Sequence, residues 1–162
     1  MVSYLGKLRS MRTVRLLAEC FQAFETVSRR DIRSMGLTPP QFDVIATLGN
    51  TPGLNFRQLG ENTLITKGTL TGVVERLERD GLVRRTPGKH DRRTAIVSLT
   101  ERGEEMFERY FLPHVAIIDS AFKGFSNQDF DAVQAKLLRI RDRFRAMRGR
   151  RGALPTEYSD QA

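Results

Sequence analysis

The chain has 162 residues and a formal charge of +8, enough for one domain or two closely merged ones and biased toward a polyanionic partner or an anionic surface. Its single cysteine, Cys20, excludes an intrachain disulfide and is compatible with a reducing cytoplasm. No apolar run nears the ~20 residues of a membrane helix, and "MVSYLGKLRSMRTVRLL" scatters charge through any apolar core, so neither a membrane span nor a signal peptide is expected.

Residues 12 to 35 are expected to be helical, because Val14, Leu17, Phe21, Phe24, Val27 and Ile32 recur at helical spacing. Gly36 suits the position just past its end. In "TPPQFDVIATLG", Thr38 is placed to cap, Pro39 to open the helix and Gln41 to complete a capping box. That helix would bury Phe42, Ile45 and Leu48 and stop near Gly49. After the turn "NTPG", a short helix is expected from about Asn55 to Asn62 and another from about Thr66 to Arg79. The latter has an apolar face of Leu70, Val73, Val74 and Leu77. Its other face carries Lys67, Thr69, Thr71, Gly72 and Arg76, and Asp80-Gly81 ends it. Two short helices joined by a tight turn, the second polar and donor-rich at its start, suit a helix-turn-helix. Strand-like runs follow at Leu82 to Thr86 and Thr94 to Leu99, with Pro87-Gly88 opening the connection. A hairpin in that place is a wing.

Thr100 is placed to cap "ERGEEMFERYFLPHVAIIDSAF", in which Pro113 should kink the helix or interrupt its hydrogen-bond ladder, and which Gly124 should end. Ser126, with Asp129 three residues on, starts the last helix. Phe130, Val133, Leu137, Ile140, Phe144 and Met147 form a coiled-coil-like seam along it. Two long striped helices outside a winged helix need cover, and a second copy of the chain is the economical source. The tail "RGRRGALPTEYSDQA" has no periodicity and is expected to be disordered. The fold class is therefore mainly α: a winged helix-turn-helix over residues 38–100, a helical dimerisation region from 1–37 and 101–148, and a tail over 149–162.

The pieces "GLTPPQFDVIATL", "GTLTGVVERLERDGLVRR", "DRRTAIVSLTERG" and "LPHV…GFS", in this order and spacing, resemble the MarR family of bacterial transcription regulators over about residues 10 to 147. The resemblance implies a homodimer built from the first and last helices. The recognition helix lies in the major groove of double-stranded DNA and the wing reaches the flanking minor groove. It further implies repression, release by a small phenolic or anionic effector, and in some members a response to cysteine oxidation. Two residues depart from the pattern. Gly60 stands where the family commonly has Ala, which costs a helix interior roughly 0.5–1 kcal/mol. Gly72 stands where a long polar side chain is common, which removes a base-reading candidate and lets backbone approach DNA.

Within that frame, Thr66, Lys67, Thr69 and Thr71 are the expected contacts to phosphates and base edges. Arg76 either reaches a phosphate or pairs with an acid such as Asp80. Arg84, Arg85 and Lys89 are expected phosphate partners, and Arg92 and Arg93 expected minor-groove contacts at the wing tip. Asp91 repels phosphate. Its expected role is to orient an arginine by a bidentate pair. Cys20 is expected to be a small buried residue, with a redox switch as the alternative. His90 and His114 have no companions at metal-ligand spacing; His114 is expected on the helix surface, and the aromatic residues mainly in the core. The cations of the last helix are expected on a solvated face. No metal, cofactor or catalytic constellation is expected, and no effector contacts are assigned. The reading is a sequence-specific dimeric cytoplasmic repressor released by a small molecule. The alternatives are a redox-responsive repressor using Cys20 and a nonspecific winged-helix nucleic-acid-binding module.

Overall fold

The structure, a computed structural model, describes residues 4–88 and 94–147. It is largely helical with one small antiparallel sheet, in the order α1 (Tyr4–Ser34), α2 (Pro39–Leu48), β1 (Leu54–Asn55), α3 (Phe56–Asn62), α4 (Lys67–Arg79), β2 (Val83–Pro87), β3 (Ala95–Leu99), α5 (Glu101–Asp119) and α6 (Asn127–Met147). The chain forms two compact units, Met1–Ala121 and Phe122–Ala162.

Local signals set most helix boundaries. Gln41 Oε1 accepts from both the backbone N–H and the hydroxyl of Thr38, at 3.0 and 2.8 Å, which pins the start of α2. At α3 the exchange is reciprocal: Asn55 Oδ1 accepts from the Gln58 N–H and Gln58 Oε1 from the Asn55 N–H. Thr100 Oγ1 accepts from the Gly103 N–H and donates to the Gly81 carbonyl, tying the start of α5 to the end of α4. Gly81 has a φ of +72°, the left-handed turn that lets the chain leave α4 and enter β2.

The sheet order is β1-β3-β2, with Leu54 opposite Val97 and Val83 opposite Leu99. The two wing strands stand close to their expected places. The third, β1, has no signal of its own: two residues become a strand only because β3 pairs with them. The core of the first unit is apolar and continuous. Val44, Ile45 and Leu48 of α2 meet Leu59 of α3, Leu70, Val73, Val74 and Leu77 of α4, Val83, Val97 and Leu99 of the sheet, and Phe107 of α5. Each such side chain contributes about 1.5–3 kcal/mol on burial.

Two expectations are corrected on α1. Only its C-terminal end, through Ile32, joins the core, together with Met35 and Leu37 just beyond it. Phe21, Phe24 and Val27 are 51%, 45% and 49% exposed, and Cys20 is exposed rather than buried. The apolar stripe is real, but no described residue of the first unit covers it.

Helix α5 begins earlier than Pro113 and runs through it to Asp119, so the proline costs one ladder bond without ending the helix. A 3₁₀ turn, Ser120–Phe122, then precedes Gly124. In the second unit, Asp129 Oδ2 accepts from the N–H and the hydroxyl of Ser126, which caps α6 and holds the carboxyl below its usual range. Phe122, Phe125 and Phe130 cluster at the start of α6. Beyond them Val133, Leu137, Phe144 and Met147 are exposed along the expected seam.

Candidate nucleic-acid interface

Helix α4 turns its apolar face inward: Leu70, Val73, Val74 and Leu77 are each at most 3% exposed. At helical spacing the opposite line is Gly68, Gly72, Glu75 and Arg79. Thr69 and Arg76 flank it on one side and Thr71 on the other; all three are exposed. The outermost ridge near the helix start is therefore bare of side chains. A Cβ at Gly68 would meet nothing within 4 Å, and one at Gly72 only the Arg76 guanidinium, 3.8 Å away. Gly68 is a feature that sequence reasoning missed, although its spacing from Gly72 carried the signal.

Thr66 caps α4, and its hydroxyl lies 2.9 Å from that of Thr69, so the two share one hydrogen bond. Lys67 opens the helix; its side chain lies outside what the structure describes. Asp80 lies 3.8 Å from Arg79, and no carboxylate among the described residues lies within ion-pair distance of Arg76. Of the alternatives for Arg76, the acid partner is therefore absent and the cation faces outward over Gly72.

A carboxylate sets the turn that precedes α4. Oδ2 of Asp43, on α2, accepts from the Leu64 N–H at 3.0 Å. Burial pushes the Asp43 carboxyl above its usual range, and the Leu64 N–H opposes that shift. Leu64 itself is 91% exposed. Sequence reasoning missed this tether, because its partners stand 21 residues apart.

On the wing, strand alternation separates two neighbouring arginines. Arg84 is exposed and its Nε donates to Ser98 Oγ at 3.2 Å. Arg85 was expected to meet phosphate alongside it. It instead turns toward the first unit's own surface, between Glu78 of α4 and the Phe56 ring. The wing-tip residues Lys89, His90, Asp91, Arg92 and Arg93 lie outside the described residues.

The sequence profile of the MarR family matches residues 35–94, from just after α1 to the residue before β3. The uncharacterised HTH-type transcriptional regulator YkoM of Bacillus subtilis is 30% identical over 123 residues, covering 76% of this chain and 80% of that protein. The chain belongs to the MarR family of transcriptional regulators. Within the family it is also similar to the homoprotocatechuate degradative operon repressor of Escherichia coli, 32% identical over 93 residues that cover 57% of this chain and 63% of that one. A solved structure of BpsR from Bordetella bronchiseptica, whose DNA binding is regulated by 6-hydroxynicotinic acid, aligns with a TM-score of 0.68. It is 26% identical and covers 80% of this chain and 98% of its own.

This MarR-family chain also holds a buried polar cluster away from α4. His114 of α5, expected on the surface, is 6% exposed. Its Nδ1 lies 2.7 Å from Asp31 Oδ2 and its Nε2 3.4 Å from Ser28 Oγ, both on α1. The Phe42 ring of α2 meets the imidazole edge-on, 4.6 Å between centroids. Among the described residues no group of histidine, cysteine and carboxylate side chains is arranged to hold a metal, and no helix is long and apolar enough to cross a membrane.

Proposed function

We propose that this transcriptional regulator is a cytoplasmic homodimeric repressor that binds a near-palindromic DNA site and leaves it on binding a small phenolic or anionic molecule. The observation that carries the DNA reading is the outward face of α4, where a bare glycine ridge is flanked by Thr69, Thr71 and an acid-free Arg76. Thr66, Lys67, Thr69 and Thr71 meet base edges and phosphates in the major groove, and Arg76 and Arg84 meet phosphates. At the wing tip, Lys89 meets phosphate and Arg92 and Arg93 enter the minor groove, aimed by Asp91.

Residues 38–100 form the DNA-binding domain in this reading, and 1–37 with 101–148 the dimerisation region. The uncovered apolar stripes of α1 and α6 support the second copy. For the effector, the support is kinship: one relative represses a homoprotocatechuate operon and another answers to 6-hydroxynicotinic acid. The His114, Asp31 and Ser28 cluster offers buried polar groups with which such a molecule exchanges hydrogen bonds. An oxidation response is the second reading, favoured by the exposed thiol of Cys20.

Footprinting on the DNA upstream of the protein's own gene tests the proposal. The expected result is a bounded protected site that disappears with a phenolic acid, or with peroxide if the second reading holds. Uniform protection along the fragment would instead assign a nonspecific nucleic-acid-binding module.

A further inference from the structure

We infer that Arg85 is a positioning residue that fixes the pitch of the wing against the recognition helix, and that it makes no phosphate contact. The inference rests on the reading that the wing meets DNA. In β2, Val83 is buried, Arg84 is exposed and Arg85 returns to the inner face, opposite the buried Val97 of β3. The Arg85 guanidinium carbon lies 5.4 Å from the centre of the Phe56 ring, the first residue of α3. Its Nε lies 3.2 Å from Oε2 of Glu78, in the last turn of α4. Nε and Nη2 are shielded from solvent and have no hydrogen-bond partner among the described residues, so the approach to Glu78 is an ion pair without a well-aligned hydrogen bond.

The side chain as a whole keeps 28% of its exposure, but shielding two guanidinium nitrogens is costly unless something compensates them. Here the ring face and the carboxylate do so, and both come from the helix-turn-helix. One planar side chain of the wing thus touches α3 and α4 together. The wing's root is also fixed by the buried Val83, Val97 and Leu99 and by pairing with the two-residue β1. A plane clamped between a ring and an acid, two residues past Val83, opposes rocking of the hairpin about that buried root. Arg84, one residue earlier on the outer face, is held by Ser98 through Nε alone and remains exposed for phosphate. The adjacent arginines therefore divide the work of aim and contact.

The experiment uses full-length protein and a duplex that the wild type has selected from a random pool. Glu78→Gln removes a negative charge, so bulk electrostatics predicts tighter binding to every sequence. Positioning predicts the reverse: about fivefold weaker binding to the selected duplex, with hydroxyl-radical protection lost at the flanks and kept at the centre. Phe56→Leu gives the same flank loss with no change of charge, while unfolding midpoints report that both variants are folded. Tighter binding by Glu78→Gln, or flanks protected as in the wild type, overturns the positioning role alone. A phosphate contact would show as a salt slope reduced by about 0.9 in Arg85→Met with the footprint unchanged, which also overturns it. Absence of flank protection in the wild type contradicts the wing's contact with DNA itself, and the inference falls with it.

Discussion

Nδ1 of His114 lies 2.7 Å from Oδ2 of Asp31, joining α5 to α1 across 83 residues of chain. Both helices flank the winged helix, so this part-buried pair ties α5 to α1 beside the Ser28 hydroxyl. Asp31→Ala leaves the imidazole N–H without its acceptor, and losing a buried partner costs about 1–3 kcal/mol. Asp31→Asn keeps an oxygen in place and should lose less. Urea unfolding at fixed protein concentration measures both; equal midpoints for Ala and wild type would show that the pair contributes nothing.

Asp43 predicts a pH dependence of defined sign. Burial raises its folded-state pKa above the unfolded value, so the native state binds the proton more readily. Its contribution to stability is fully present below the unfolded pKa and is lost as pH rises through the folded one. Asp43→Asn keeps an acceptor for the Leu64 N–H but carries no charge. Relative to wild type, the Asn variant should gain stability from acid to neutral pH, and Asp43→Ala should be less stable throughout. Unfolding midpoints across that range decide it. A wild-type-minus-Asn difference that grows with pH has the wrong sign for this account.

The glycines of the helix-turn-helix separate stability from binding. A Cβ at Gly60 would meet only Leu70 Cδ2, at an ordinary 3.8 Å. Gly60→Ala should therefore stabilise by roughly 0.5–1 kcal/mol and leave DNA binding unchanged. Gly68→Ala and Gly72→Ala also have room in the free protein, so each should raise the melting temperature. Because they add a methyl to the ridge proposed to face DNA, each should weaken specific binding. A gain in stability with unaltered affinity would remove the close approach from the mechanism.

How far these features could be read from sequence follows the range of the interactions behind them. The start of α2 was legible in Thr38 and Gln41, because a capping box lies within one turn. The recognition helix was legible in the spacing of Leu70, Val73, Val74 and Leu77. Strand alternation from Val83 also carried the inward turn of Arg85, but charge alone had assigned it to phosphate. Asp43 with Leu64 and His114 with Asp31 were not legible, since each side chain's environment comes from distant chain. The stripe of Phe21 and Phe24 was read correctly as a stripe. Helical spacing says that such a face wants cover, not that this chain supplies it.

In the proposed function, attraction and aim are divided between Arg93 and Asp91. Arg93→Ala should weaken binding, most at A·T-rich flanks where the narrow minor groove deepens the negative potential. Asp91→Asn should also weaken it, although the variant is more positive. Affinities measured over a salt series test both. Stronger binding of Asp91→Asn to all sequences would make that carboxylate a simple repulsive charge.

Sequence-specific recognition by a two-fold dimer is the central claim, and selection of bound duplexes from a random DNA pool tests it most directly. The account predicts one enriched near-palindromic site, with half-sites about 10 bp apart. Bound DNA with no enriched sequence would contradict it.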